Sequence, residues 1–138
     1  MKLKYLFLPF LLFFLSNCSN DDDISNNDLI VGNWQLDKII INGFAGQTET
    51  LYNPEDVIYK FYSNGTLEII SNVADINSET MNYSIELDCL TLNCNNNEQM
   101  YEFLFLNGNK NEFWIEENTL SFGTAYVDGP TFVLNHLQ

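Results

Sequence analysis

The feature that most limits how this 138-residue chain can fold is its regular succession of short strand-like segments separated by turn signals. Residues 81–88 alternate strictly between apolar and polar side chains, which is typical of a half-buried β-strand. Asn64-Gly65 is the strongest turn signal, because this dipeptide favours tight hairpins. Further turn or loop signals lie at residues 43–54, 75–79, 107–111 and 128–130. No segment shows sustained helical periodicity, so the sequence predicts an all-β fold.

The spacing of these segments also favours one type of β architecture. We predict about eight strands, with a turn roughly every 8–12 residues, which is typical of a barrel or a sandwich. The short connections favour an antiparallel up-and-down meander, and closure of that meander into a barrel would remove exposed strand edges. A β-sandwich is the alternative.

The first 18 residues have the layout of a secretory signal peptide. Lys2 and Lys4 precede an apolar run that ends at Leu15, and Cys18 follows after two polar residues. The run is shorter than the roughly 20 residues that a membrane-spanning helix needs. A cysteine at this position resembles the lipobox of bacterial lipoproteins, which implies that Cys18 carries a lipid. A cleaved signal peptide with an unrelated cysteine is the alternative.

Residues 19–27 form a polar, acidic segment after the predicted lipid site. Such a composition predicts a flexible tether. Its run Asp21-Asp22-Asp23 resembles the acidic export tag of some Gram-negative surface lipoproteins, although a plain charged linker would have the same composition. The predicted organisation is therefore a signal peptide over 1–18, a tether over 19–27 and one β domain over 28–138. We predict an exported lipoprotein anchored to the outer membrane, with surface display as a further hypothesis.

The charge balance excludes one class of partner. The chain has 19 acidic residues against five basic ones, a formal net charge of −14 at pH 7. All five basic residues are lysines, and two of them belong to the leader. Because nucleic-acid binding depends on Lys and Arg contacts to phosphate, we do not expect the protein to bind nucleic acid. No protein partner can be named from the sequence.

The remaining cysteines, Cys89 and Cys94, are predicted to form a disulfide bond. An exported compartment is oxidising, and a spacing of four intervening residues suits a bridged hairpin or wide loop. A metal or redox pair is the alternative. It is less favoured, because the spacing is not C-x-x-C and the single histidine, His136, is far away in the sequence.

Gly32-Asn33-Trp34 resembles the G-x-W motif at the start of the first strand of lipocalins. The context, with a lipobox, an acidic tether and the hairpin around Asn64-Gly65, is similar to lipocalin-like domains of small Gram-negative lipoproteins. The resemblance implies an eight-stranded barrel in which Gly32 and Trp34 are structural and the tryptophan plugs one end. The family usually packs an arginine over that tryptophan, and this chain has no arginine. Lys110, His136 or apolar packing is expected to replace it.

We find no residue pattern that predicts catalysis, a metal or a cofactor. A nucleophile–base site would have to be built on His136 alone. Carboxylates are frequent, but the sequence does not set two of them across a cleft. The oxygen-rich loops at residues 75–79 and 107–112 do not match a calcium-binding loop. The sequence therefore predicts a protein that is not an enzyme and that needs no cofactor.

The remaining prediction is a binding cavity inside the barrel. We expect a small apolar ligand, because small barrels can hold one small molecule. The alternative is a solid core, with the protein docking another envelope protein or a glycan through loops 43–54 and 74–80. The candidate ligand-binding residues are aromatic: Phe61, Tyr83, Tyr101, Phe103, Phe113, Phe122 and Phe132. Other interior candidates are Ile69, Ile85, Phe105, Ile115 and Leu134.

Overall fold

The computed structural model describes residues 26–44, 46–90, 98–124 and 127–137. The predicted signal peptide, the lipid site at Cys18 and the tether up to residue 25 lie outside these ranges, as does Cys94. Asn26 and Asn27, which we assigned to the tether, begin a helical turn.

The described chain consists of one helical turn followed by nine antiparallel strands. These are α1 (Asn26–Ile30), β1 (Gly32–Gly43), β2 (Gly46–Leu51), β3 (Val57–Tyr62), β4 (Thr66–Ser71), β5 (Glu79–Cys89), β6 (Met100–Leu106), β7 (Asn109–Glu116), β8 (Thr119–Gly123) and β9 (Pro130–His136). The prediction of an all-β, antiparallel meander is confirmed.

Eight of the strands close into a barrel. The order is β1-β3-β4-β5-β6-β7-β8-β9, and β9 returns to pair with β1 from Trp34–His136 to Ile41–Pro130. Each barrel strand therefore has a hydrogen-bonded neighbour on both sides, which removes the sticky edges of an open sheet. This closure confirms the barrel and excludes the sandwich alternative.

The ninth strand, β2, lies outside the barrel wall. β1 is twelve residues long, and its first part pairs with β3 while Lys38 to Gly43 pairs with β2. Every residue of β2 is exposed, and its partners Lys38 to Ile41 in β1 also pair with β9, so β2 is an extra strand added to the barrel wall. The prediction of a loop over residues 43–54 was wrong for this part, because Gly43 and Gly46 flank a hairpin turn rather than an irregular segment.

A β-bulge in β1 keeps both halves of this long strand facing inward. The pairing of β1 with β9 shifts between Leu36 and Lys38, which leaves Asp37 as the extra residue. Before the shift, Trp34 and Leu36 are buried in the core; after it, Ile39 packs against the same core. Without the bulge the period-two alternation would turn Ile39 outward.

The hydrophobic core formed by the described residues lies inside the barrel. It extends from Ile30 and Trp34 at one end of the barrel to Ile69 and Phe122 nearer the other. The described residues therefore contain a closed sheet with a hydrophobic core of its own, which is what a domain that folds independently needs.

Candidate functional site

One end of the barrel is closed by the tryptophan of the G-x-W motif. The Trp34 side chain is only 2% exposed, and its indole N–H donates a 2.8 Å hydrogen bond to the carbonyl of Ile30 in α1. The His136 ring packs edge-on against the indole with ring centroids 4.8 Å apart. Of the three predicted replacements for the family's arginine, which were Lys110, His136 and apolar packing, His136 is the one that packs on Trp34.

Gly32 is required by the same closed end. A Cβ atom at this position would lie 2.9 Å from Nε2 of His136, and the backbone φ of +150° is one that side chains rarely adopt. The histidine can pack on Trp34 because residue 32 has no side chain. Gly32 and Trp34 thus act together in closing the barrel, which is a structural role.

The opposite end of the barrel opens into a pocket of about 380 Å³, here called the mouth pocket. Its apolar wall comes mainly from six side chains, one on each of six barrel strands: Ile39, Ile69, Met81, Leu106, Phe122 and Phe132. Phe122 and Phe132 are stacked, with ring centroids 5.2 Å apart and planes 13° from parallel. Ile76, in the connection between β4 and β5, also lines the pocket and packs against the core. The barrel interior is therefore not filled to its end.

Polar groups lie at the rim of the mouth pocket. Asp75, Asn77 and Glu79 belong to the β4–β5 connection or the start of β5, and all three are exposed. Glu79 pairs in register with Ile69, whose side chain faces the core, so Glu79 lies on the inward face of the sheet. It continues the inward series of Tyr83 and Met81 up to the opening of the pocket.

Tyr59 places one hydroxyl in this largely apolar wall, to which Asn111 of β7 also contributes a polar side chain. The residue is only 3% exposed and lines the pocket, and within the described ranges its hydroxyl forms no hydrogen bond. Burial raises the pKa of the Tyr59 phenol well above its usual value, and the nearby Tyr52 and Glu79 add to this effect. The hydroxyl therefore stays protonated at neutral pH and can both donate and accept a hydrogen bond.

Tyr52 holds the rim carboxylate of Asp75 in place. Its hydroxyl donates a 2.9 Å hydrogen bond to Oδ2 of Asp75. Desolvation, this hydrogen bond and the carboxylate charge raise the pKa of Tyr52 to about 12. This hydrogen bond holds the Asp75 side chain at the edge of the pocket. The other carboxylate oxygen of Asp75 can still accept a hydrogen bond from a ligand.

Of the seven predicted ligand-binding residues, Phe122 and Phe132 line the mouth pocket. Phe61 and Tyr83 instead pack edge-on against each other, with centroids 5.1 Å apart, and the Tyr83 hydroxyl donates to the carbonyl of Tyr62. Both belong to the packed core. Phe113 is partly buried and packs against that core without lining the pocket.

The placement of Phe103 and Tyr101 inside the barrel was wrong. The inward residues of β6 are Leu104 and Leu106, so the odd-numbered positions lie on the outer face. Phe103 is buried there under Lys110, whose Nζ lies 4.1 Å from the ring centroid. Tyr101 is exposed near the start of β6. The sequence could not separate the two faces, because both faces of β6 are rich in apolar residues.

Lys110 fixes this outer cluster by an ion pair. Its Nζ lies 2.9 Å from Oδ2 of Asp88 and also donates to the carbonyl of Cys89. The hydrogen bond from Lys110, with a backbone bond from Cys89, lowers the pKa of Asp88. Cys89 is buried and disulfide-bonded. Its predicted partner, Cys94, lies outside the described residues, so that pairing stays a prediction.

Sequence reasoning missed the residues that give the pocket its polar character. Tyr59 was assigned to a strand without a role, and residues 75–79 were treated as a polar connection. A usable signal was present for Glu79, because the alternation of Met81, Tyr83 and Ile85 extends back to it with period two. No comparable signal marks Asp75, which reaches the pocket through the conformation of a connection.

In the part of the chain that the structure describes, no group of three His, Cys, Asp or Glu side chains is arranged to hold a metal ion. Among the same residues, there is no helix with the length and apolar character that crossing a bilayer requires.

Comparison with known proteins gives no further assignment. No protein-family model matches this sequence, and no match is found among the curated proteins or the solved structures.

Proposed function

We propose that this protein is a lipid-anchored, non-catalytic binding protein that holds a small, largely apolar molecule in the mouth pocket of its barrel. By this proposal the protein is exported and attached to the outer membrane through Cys18. The barrel is the binding module, and residues 19–25 are part of the connection between the lipid and the barrel.

The observation that carries this proposal is the mouth pocket itself. Its volume of about 380 Å³ is at the lower end of the range of roughly 300–1,000 Å³ in which ligand pockets fall. A largely apolar wall with a few polar groups, here the Tyr59 hydroxyl and Asn111, is the usual composition of such sites, because apolar contact supplies affinity and the polar groups fix orientation. A docking module with a solid core, our alternative, would not need this opening.

The position of the helical turn α1 supports access from the side away from the membrane. α1 contacts Trp34 at the closed end through the carbonyl of Ile30, so the chain enters the barrel there. The mouth pocket lies at the other end. A ligand in the surrounding medium would thus reach the pocket without passing the anchored end.

A pocket-filling substitution tests this function. We expect the neutral fluorescent dye N-phenyl-1-naphthylamine to bind a soluble chain of residues 24–138, which contains the whole barrel. Met81→Trp should weaken dye binding at least about tenfold, since Met81 lines the pocket and the larger ring occupies its volume. The measurement is a fluorescence titration, with thermal unfolding to show that the variant is folded.

The matched control is Thr80→Trp. Thr80 is the preceding residue of the same strand and is exposed, so the added ring should point away from the pocket and leave dye affinity within about twofold. Equal affinities of the two folded variants would contradict a binding site in the mouth pocket.

The lipid anchor has an independent test. Cells that express the full chain and are fed an alkyne-labelled fatty acid should incorporate the label into this protein. The variant Cys18→Ser should lose the label, because the thiol is the predicted attachment point. Label that persists in Cys18→Ser, or that is missing from the native chain, would overturn the anchoring proposal and leave the pocket proposal intact.

A further inference from the structure

We propose that the molecule held in the mouth pocket carries a protonated amine next to its apolar body. This inference rests on the proposed binding function and adds the charge of the ligand.

The ionisable residues that line the pocket besides Tyr59 are both acids, Asp75 and Glu79. Glu79 lies on the inward face of β5, and Asp75 is held at the rim by the hydroxyl of Tyr52. Two carboxylates at one opening create a negative potential, which favours a cation and repels an anion. A ligand with a carboxylate or phosphate group would meet like charge at the entrance.

Each lysine of the described chain pairs with a carboxylate away from this pocket. Lys38 of β1 lies 3.2 Å from Glu49 of β2, and Lys60 lies 3.9 Å from Glu68 on the β3–β4 pair. Lys110 pairs with Asp88 on the outer face. Within the described ranges, none of these side chains neutralises Asp75 or Glu79.

The Tyr59 hydroxyl supplies a neutral partner deeper in the pocket. The Tyr59 residue is only 3% exposed and lines the pocket, and its hydroxyl forms no hydrogen bond with another described residue. No fully buried side-chain nitrogen or oxygen of the described residues lacks a partner, so this hydroxyl is accessible and can bond a ligand in the pocket. An ammonium group has three donors and can satisfy this oxygen and a rim carboxylate together. The stacked Phe122 and Phe132 would then contact the apolar body.

Three ligands with the same chain and different charge test the proposal: octylamine, 1-octanol and octanoate. Binding to the soluble chain 24–138 is measured by isothermal titration calorimetry at pH 7. We expect octylamine to bind at least about tenfold more tightly than 1-octanol, because a hydrogen bond to a charged group contributes more than a neutral one. Octanoate should bind more weakly than both.

The outcomes separate this inference from the function on which it rests. Binding of 1-octanol as tight as that of octylamine would overturn the amine inference and leave the pocket function standing. Absence of binding by all three ligands, together with absence of dye binding, would overturn both.

A pair of variants excludes general attraction of an amine to an acidic protein. Glu79→Gln should weaken octylamine binding about tenfold and leave 1-octanol binding unchanged, since it removes one rim charge and keeps the shape. Glu116→Gln makes the same change in net charge in the β7–β8 hairpin, which lies beside His136 at the closed end. It should leave both affinities unchanged. An equal loss of octylamine affinity in the two variants, or no loss in Glu79→Gln, would contradict the proposal.

Discussion

Trp34→Ala is expected to lower the free energy of unfolding by about 3–5 kcal/mol, the range observed when a large buried aromatic side chain is truncated. The indole is 2% exposed, so its removal leaves a cavity among Ile30, His136 and the remaining core. It also removes the hydrogen bond to the Ile30 carbonyl. Such a loss is a large part of the roughly 5–15 kcal/mol that stabilises a typical domain. Urea unfolding followed by circular dichroism measures it.

The matched control is Trp114→Ala, the same substitution on the outer face of β7. Trp114 is 47% exposed, so little buried surface is lost and we expect a change below about 1 kcal/mol. A loss of similar size in the two variants would contradict the assignment of Trp34 as the residue that closes the barrel.

Gly123→Ala is expected to destabilise the barrel by about 3 kcal/mol, near the upper end for a methyl group forced into a packed site. A Cβ atom at residue 123 would lie 2.1 Å from the carbonyl oxygen of Pro130 and 2.9 Å from Cα of Thr131. These are backbone atoms of the neighbouring strand β9, so no side-chain rotation can relieve the overlap. The β8–β9 pair would have to separate, and urea unfolding would report the loss.

Gly43→Ala is the control for this prediction. Gly43 also lies in a strand, but the nearest atom to an added Cβ is 3.8 Å away, an ordinary contact distance. We expect its unfolding free energy to stay within about 0.5 kcal/mol of the native value. If Gly123→Ala were as stable as Gly43→Ala, the close approach of β8 and β9 would be wrong.

The sequence predicted those parts of the fold in which the local pattern determines the outcome. The alternation over 81–88 placed Met81 and Tyr83 on the inner face, as observed. Asn64-Gly65 lies in a turn as predicted, but Tyr62 pairs with Thr66, so three residues separate the paired positions rather than two. Gly65 has the positive φ of 81° that such a turn needs.

The sequence failed where two patterns overlap. β6 is apolar on both faces, so alternation could not assign Phe103, which lies under Lys110 on the outer surface. In β1 the bulge at Asp37 changes the inward phase in mid-strand, and Ile39 becomes a wall of the pocket only through that change. A bulge depends on the pairing with β9, which the local sequence does not specify.

The pocket was harder to predict than the barrel because its key groups come together only after closure. Tyr59, Asp75 and Phe132 are far apart in the sequence, and each belongs to a different segment of the sheet or its connections. The sequence identified Phe122 and Phe132 as aromatic residues with an interior face. It could not show that the barrel leaves a space beside them, because that depends on how all eight strands pack.

Binding of a small molecule at the mouth of the barrel is the central proposal for this protein. The most direct measurement is an amide NMR titration of isotopically labelled residues 24–138 with octylamine. We expect shift changes at residues that line the mouth, such as Ile39, Glu79 and Phe122, with the Trp34 indole signal unchanged at the closed end. Changes confined to the closed end or to β2 would contradict it, as would the absence of changes with octylamine, 1-octanol and the dye alike.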